Sequence, residues 1–296
     1  MDARQLQALL MTADVGSFTR AAARLGVTQP TITNRIKALE QALDTILLER
    51  LPGGVRPTRS GQAVLPYARE IVRLSAEMEH AVTAPGEPRG RVAVGSLESL
   101  TNHRLLPLIE YLHVRYPGIE FSLHASDPWD SVSRVRSGQL DCAFLIGAAL
   151  QHDDLEVGLL CPEPLALVTG CHPASTGAAG AEGTGPSFGT VLLCSDVDVS
   201  FCKLVASQAV AGATRHRRTL KLNSIEAAKH SAANGIGVAL LPEVAVAREI
   251  AEGTLRRVDW EAPERTYTQA VWRRSKAPDP ALEVVLAAAR KVVRED

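Results

Sequence analysis

No stretch of this 296-residue sequence approaches the roughly 20 consecutive apolar residues that a membrane-spanning helix needs, although 46% of its residues are hydrophobic. That apolar content belongs in buried cores, and the length predicts two or three of them. The opening MDARQLQALLMTADVGS carries Asp2 and Asp14 and lacks the basic start, apolar centre and small-residue cleavage site of a secretory signal. A cytoplasmic protein with no membrane partner is therefore expected. Cysteine is sparse: Cys142, Cys161, Cys171, Cys194 and Cys202 are odd in number, and no two form a C-x-x-C pair. Structural disulfides and zinc sites are not expected from that pattern, and most of these residues read as small core side chains. Neither a phosphate-cradling G-x-x-x-x-G-K-[ST] nor an H-E-x-x-H is present. His172 beside Cys171 makes no nucleophile pair, because neighbours on an extended chain point apart. No catalytic residue, no metal ligand and no cofactor is predicted.

The chain also lacks net charge, at -1, but its distribution is uneven. From Ser17 to Ser60 the cations Arg20, Arg24, Arg35, Lys37, Arg50, Arg56 and Arg59 face only Glu40, Asp44 and Glu49, an excess of four, while the remainder is acidic. That asymmetry points to a polyanionic partner.

The same region repeats a helical period: Leu6, Leu9, Leu10 and Ala13; Phe18, Ala21, Ala22 and Leu25; Ile32, Ile36, Leu39 and Leu43. Ser17 is a good N-cap for the second helix, Gly26 suits its left-handed end, and Thr28 caps the third helix with Pro30 in its first turn. After Leu43, DTILLERLPGGVRPTRSG reads as a small hairpin with a Gly53-Gly54 tip and an Arg-rich return. A long helix then runs from Thr58 or Ser60 to about Thr83. Val64, Ala68, Ile71, Ser75, Met78 and Val82 step along it by four and three, a stripe suited either to pairing with a second helix or to lying on its own domain.

Beyond the hinge APGEPRG the pattern changes to alternating strands and helices, which implies parallel sheets covered by helices. RVAVG, IEFSLHAS and LDCAFLIG are strands of a first set, with TNHRLLPLIEYLHVRYP and PWDSVSRVRSG as its helices. A second set begins near Cys161-Pro162-Glu163-Pro164 and includes a helix from Ser200 to about Ala211. Residues 173–189, rich in Gly, Ala, Ser and Thr, read as a mobile surface loop.

The third helix leaves one face free. Gln29, Thr33 and Lys37 lie along it at steps of four, with Pro30, Thr31 and Asn34 beside them, opposite the apolar Ile32, Ile36 and Leu39. Gln and Asn pair bidentately with adenine, and threonine offers a hydroxyl and a methyl, so this face suits base edges in a major groove. Arg35, Lys37, Arg50, Arg56 and Arg59 would neutralise phosphates without reading sequence. An ordinary solvated helix is the alternative.

GSFTRAAARLGVTQPTITNRIKALEQALDTILLER followed by GVRPTRSGQAVLPYA resembles the N-terminal winged helix-turn-helix of LysR-type transcriptional regulators. The Ala-Ala pair, the Gln-Pro opening the third helix, the Leu-Glu pair and the Thr-x-x-Gly after the wing carry the likeness. GSLES, RLLP, RYP, GQLDCAFL, NSIEAAKHSAANGIGVALLP and EGTL extend it along nearly the whole chain. The resemblance implies an all-α winged helix-turn-helix domain (residues 1–58), a long linker and dimerisation helix (59–84), a hinge (85–90) and an α/β effector region (91–296). That region would consist of two Rossmann-like lobes, periplasmic-binding-protein-like: lobe I, 91–161 and 265–296; lobe II, 162–264. The implied partners are double-stranded promoter DNA, a small-molecule effector, RNA polymerase, and further copies of the chain in a homodimer and homotetramer. The implied location is cytoplasmic and nucleoid-associated. Asp44 stands where the family commonly has glycine, and Asn34 suggests a base preference of its own.

In α/β lobes, ligands gather at strand carboxyl ends where helix N-termini present free N–H groups. VAVGSLESLT offers Ser96, Ser99 and Thr101 before its helix, Gly147 ends a strand, and Ser200 and Ser224 open second-lobe helices. The resemblance places Ser99, or else Ser96, at the family's first-lobe effector serine. Each serine is equally readable as a helix cap. A small anion suits such helix starts, yet Glu98 would repel an anion and welcome an amine. Two other regulators fit the same fold: one switched by Cys194 and Cys202 as a thiol pair, and one that binds DNA without a ligand.

Overall fold

The computed structural model describes residues 1–83, 88–171, 191–194, 218–222, 224–260, 262, 264–274 and 279–293. These fall into two compact units, Met1–Gly90 with Arg136–Gln139, and the rest of the chain. Among the described residues no helix is long and apolar enough to cross a membrane. The expected helix from Ser200 and the Gly-rich loop at 173–189 lie outside the described residues.

The first unit contains α1 (Ala3–Val15), α2 (Phe18–Arg24), α3 (Gln29–Ala42), β1 (Leu48–Leu51), β2 (Gly54–Pro57) and α4 (Arg59–Thr83). Asp2 starts α1 with a capping box: its carboxylate accepts from Gln5 N at 2.8 Å, and the Gln5 side chain accepts from Asp2 N at 3.0 Å. Gly16, at φ 64°, ends it. Ser17 caps α2 as its type predicts. Thr28 occupies the N-cap position of α3 but makes no cap bond; its hydroxyl pairs instead with that of Thr31 at 2.9 Å. Leu6, Leu9, Ala22, Ile32, Ile36, Leu39 and Leu65 close one apolar core.

Three contacts fasten the hairpin. Glu40, on α3, accepts from Leu47 N at 2.9 Å and Leu48 N at 3.2 Å. Val55 N donates to Gly16 O at 3.0 Å. Thr58 donates its hydroxyl to Ile46 O at 2.7 Å and accepts from Gly61 N at 3.0 Å. Gly61 packs so tightly that a Cβ there would lie 2.0 Å from Leu47 O. The Leu-Glu and Thr-x-x-Gly patterns thus have a shared cause, the docking of the hairpin between α3 and α4.

The apolar stripe of α4 divides differently from its sequence pattern. Ala68 is buried in the first unit's own core and Val64 packs against it, together with Leu65. The row left exposed is Tyr67, Ile71, Leu74 and Met78, still at steps of four and three.

The second unit holds two five-stranded sheets. The first runs β4 (Ile119–Ala125), β3 (Gly90–Ser96), β5 (Cys142–Gly147), β12 (Tyr267–Arg273), β6 (Leu155–Pro162). The second runs β11 (Leu255–Arg257), β7 (Leu165–Gly170), β10 (Val238–Pro242), β8 (Val191–Cys194), β9 (Arg218–Lys221). Around them lie α5 (Glu98–His103), α6 (Leu106–Arg115), α7 (Pro128–Arg136), α8 (Ile225–Ala233), α9 (Glu243–Ala251) and α10 (Pro280–Val292).

Both sheets are mixed, which corrects the expectation of purely parallel ones. β3 and β5 are parallel, whereas β12 runs antiparallel to β5 and β6, and β10 antiparallel to β7. Parallel neighbours need a crossover helix; β12, by which the chain re-enters the first sheet from the second, inserts reversed between β5 and β6, which themselves run in the same direction. Sequence reading also missed β6. Its burial follows no alternation, and Gly158 interrupts it where the Trp272 ring packs, 3.2 Å from the position of a Cβ. The single helix expected over TNHRLLPLIEYLHVRYP is two, broken at Arg104 and Leu105. Pro107 sits in the first turn of α6, where its missing N–H does no harm, and cannot continue α5.

Asp44 is the one described non-glycine residue at positive φ, 48°. Asp44→Gly should therefore stabilise the first unit by about 0.5 kcal/mol. Gly61→Ala should cost roughly 1–3 kcal/mol or more, because the clash is with backbone. Urea midpoints of the two variants, moving in opposite directions, check both expectations.

Candidate functional site

Two regions gather the residues that the sequence singles out. On α3 the division of faces is sharp. Ile32, Ile36 and Leu39 are at most 2% exposed, while Gln29, Pro30, Asn34 and Lys37 are exposed and Thr31 and Thr33 half-buried. Thr33 donates its hydroxyl back to Gln29 O at 3.1 Å. The hairpin presents two exposed arginines, each already engaged. The Arg50 guanidinium lies 4.6 Å from the Phe18 ring centre, and Arg56 pairs with Glu49 directly across the strands at 2.6 Å. Such an exposed ion pair contributes little to stability, but it sets where the guanidinium points.

The second region lies where α5 meets the lobe built on the second sheet. Gly95 lets the end of β3 approach α7 closely: a Cβ there would meet Leu140 Cδ1 at 2.7 Å and Ser131 Oγ at 3.1 Å. Ser126 N donates to Ser96 O at 3.2 Å, joining the loops after β4 and β3. Ser99 and Thr101 do not precede the helix, as the sequence suggested, but lie within it. Leu97 takes the extended N-cap conformation and Glu98 opens the first turn. Ser96 is buried and donates to Leu97 O at 3.1 Å; Thr101 donates to Ser96 Oγ and Leu97 O, each at 3.1 Å. These hydroxyls shape the wall of the site through local bonds. Ser99 is buried. Gly147 ends β5 beside Gln269, whose buried amide donates to Ala148 O and accepts from Leu150 N. Ser200 lies outside the described residues.

Ser224 caps α8, though loosely, accepting from Ala227 N at 3.5 Å. The next N–H of that helix start is taken by a residue of the other lobe: Ile225 N donates to Glu98 Oε2 at 3.1 Å, across 127 residues of sequence. Beside this bridge Asp127, which accepts from Asp130 N at 2.9 Å as the start of α7, also pairs with Lys221 of β9 at 3.5 Å. The Asp130 N–H, helped by Lys221, holds the Asp127 carboxyl below its ordinary range.

At the far end of α5, Arg104 donates to Glu163 through Nε at 2.9 Å and a terminal nitrogen at 3.3 Å. Glu163 is fully buried and Arg104 is 8% exposed. Thr268 donates to the same carboxylate at 2.8 Å, and Glu163 N donates to Thr266 O at 2.9 Å. Glu163 and Thr266 belong to the two segments that pass between the sheets, so one carboxylate ties both to α5. Deeper along α8, Lys229 bridges Glu226 at 2.6 Å and Glu249 at 2.8 Å. Burial draws Lys229 down, but its hydrogen bonds to the two glutamates outweigh that and hold it above the ordinary lysine value. Burial, with the Lys229 charge, lowers nearby His103.

Sequence reasoning weighed Glu98 only as a complication and missed Asp127, Lys221, Arg104 and Glu163. A signal did exist for Glu163: a lone carboxylate between two prolines, leading straight into the apolar LALV. Cysteine arithmetic also needs correction, because Cys194, buried at the end of β8, is disulfide-bonded. Burial, with Asp141 nearby, pushes the Cys142 thiol up and leaves it inert. Residues 185–189 spell G-x-S-x-G and lie outside the described residues. A nucleophile elbow turns from strand into helix, whereas Val191 opens β8 almost at once.

Comparison with known proteins places both regions. The family model for the bacterial regulatory helix-turn-helix protein, lysR family, matches residues 3–62, and that for the LysR substrate binding domain matches residues 85–294. The uncharacterized HTH-type transcriptional regulator YwqM of Bacillus subtilis is 26% identical over 297 residues, covering 99% of this chain and all of the relative. Among solved structures, a full-length OxyR variant from Pseudomonas aeruginosa superposes with a TM-score of 0.71 at 23% identity, covering 99% and 94% of the two chains. Full-length CbnR complexed with its target DNA does so with 0.58 at 21%, covering 99% of this chain and all of that one.

Glu163→Gln keeps the side chain's shape but leaves the Arg104 guanidinium buried against a neutral amide. The expected loss is about 3–5 kcal/mol, seen as an earlier unfolding transition of the second unit while that of the first unit is unmoved.

Proposed function

This chain belongs to the LysR family of bacterial transcriptional regulators, and from that premise we propose how its residues divide the work of a regulator that is not an enzyme. The observation that carries the proposal is the split of α3 into a buried apolar face and an opposite face of two exposed amides and one exposed lysine with two half-buried threonines. Gln29, Thr31, Thr33 and Asn34 read base edges in the major groove of double-stranded promoter DNA, with Pro30 at the helix start allowing close approach. Lys37, Arg50 and Arg56 neutralise phosphates and fix the register of the domain, residues 1–58, on the duplex. A solved structure of the same fold is complexed with its target DNA, which supports a duplex as the partner of this domain.

The exposed row Tyr67, Ile71, Leu74 and Met78 of the linker helix, residues 59–84, pairs with the same row of a second copy. The homodimer so formed assembles further into a homotetramer, cytoplasmic and nucleoid-associated, that presents bound promoters to RNA polymerase. In residues 91–296 a small-molecule effector binds between lobe I (91–161 and 265–296) and lobe II (162–264). The walls are the α5 start with Ser96, Ser99 and Thr101, the strand end at Gly147, and the second-lobe helix start at Ser224; Ser200 lies outside the described residues. Binding matters only through unequal affinity for two arrangements of the lobes, which the tetramer converts into a changed bend in the promoter.

Footprinting on the promoter of the neighbouring operon, with and without metabolites of that pathway, tests both halves. A footprint or bend that shifts with one metabolite is expected; a fixed footprint would favour the ligand-independent reading. Asn34→Ala should relax base preference at one position by about 1–3 kcal/mol, whereas Arg56→Ala should weaken specific and random duplexes alike and lower the salt slope by about one. Equal losses on both duplexes for both variants would contradict this division. Glu49→Gln, which releases Arg56, should strengthen binding to any duplex.

The disulfide at Cys194 favours a second reading, regulation by thiol oxidation. Serine at both Cys194 and Cys202 should then abolish an oxidant response in a reporter strain. An unchanged response would remove this reading.

A further inference from the structure

The lobe surfaces that meet at α5 carry opposite charge. Lobe I contributes two carboxylates, Glu98 from the first turn of α5 and Asp127 from the start of α7, on loops joined by the Ser126 N to Ser96 O bond. Lobe II contributes donors: Ile225 N at the positive end of α8, and Lys221 four residues before it. Each donor is already matched, at 3.1 Å and 3.5 Å. Among the described residues, two further cations of this region are paired: Arg104 with Glu163, and Lys229 with Glu226 and Glu249. Burial and Lys229 together keep His103 from gaining a proton readily.

Three kinds of ligand meet this arrangement differently. A plain anion at the α8 start must evict Glu98 and leaves that carboxylate without the donor it had, while Asp127 keeps Lys221. A plain cation between Glu98 and Asp127 strips Ile225 N and Lys221 of their acceptors. A molecule with both charges replaces both bridges at once. Resting on the effector-cleft reading above, we infer that this cleft selects a small zwitterion, its cationic group held by Glu98 and Asp127 and its anionic group by Ile225 N and Lys221. Glu98 is the specificity-determining residue: it accepts from the N–H that would otherwise hold the anion, and with the zwitterion bound it holds the cation.

The test uses the full-length chain and three matched panels: the common L-α-amino acids, the amines left by removing their carboxylate, and the acids left by removing their amine. Thermal shift identifies binders, and calorimetry measures them on wild type, Glu98→Gln and Asp127→Asn, with circular dichroism confirming that each variant is folded. At least one amino acid is expected to bind wild type, with its amine and its acid each weaker by roughly tenfold or more. Glu98→Gln should weaken the amino acid by a similar factor and strengthen the corresponding acid, because Ile225 N then faces a neutral amide. An acid that binds wild type as tightly as its amino acid overturns the inference while leaving the effector cleft standing. An unchanged preference in Glu98→Gln does the same. Silence from all three panels also overturns it, and the metabolite footprints then decide on the cleft independently.

Discussion

The buried carboxylate of Glu163 is the constraint on which the effector region depends. It accepts from Arg104 through two nitrogens and from Thr268, while its own peptide pairs with Thr266. Three segments distant in sequence therefore meet at one ionised group: the end of α5 and the two passages between the sheets. Taking such a pair out of water is expensive, and the cost is offset only when geometry is good and the remaining lone pairs are satisfied. Here both conditions hold. The consequence reaches beyond stability. Arg104 terminates the helix whose first turn carries Glu98, so the buried ion pair and the bridge from Glu98 to Ile225 share one short rod.

The first unit uses a carboxylate in a comparable way, at lower cost. Glu40 stands half-buried on α3 and takes two backbone N–H groups at the start of the hairpin. No cation is buried with it, so the desolvation penalty is smaller, and the bond gives register rather than bulk stability. With Thr58 and Gly61 closing the other side, the hairpin arginines sit at fixed offsets from the exposed face of α3. Reading a duplex requires that offset, because phosphate contacts position what base contacts specify.

How much was legible in the sequence follows from the range of each interaction. The helices of the first unit were readable because period, cap and turn residues lie within a few positions of one another: Asp14 to Ser17 marks one boundary and Gly26 to Pro30 the next. The two-lobed architecture came from the resemblance and from strand alternation. Strand direction was not available, because β6 and β12 are defined by where the chain crosses, not by what they contain. Among the α3 residues, the exposed face agrees with the periodicity. In the second unit, sequence pointed to hydroxyls at the strand-to-helix junctions but took Ser99 and Thr101 to precede a helix that in fact starts at Glu98. Leu97 gives no capping signal, so that boundary could not be placed. The bridge from Glu98 to Ile225 and the pair Asp127 with Lys221 join residues on different lobes, and neither leaves a trace in local pattern.

Those two bridges are unequal, and the inequality bears on control. Lys221 and Asp127 are both about half exposed, so water and salt screen their attraction to little. Glu98 is half-buried and aims at a helix start whose amides carry a fixed partial positive charge, an attraction that does not require ordering a long side chain on the second lobe. The two lobes are thus joined here mainly by one carboxylate, and under the inference above an effector competes first with that bond. A ligand shifts an equilibrium only by the difference in its affinity for the two states. A bridge of modest strength suits such a device: strong enough to define the ligand-free arrangement, weak enough that a small molecule supplying the same two charges can take its place.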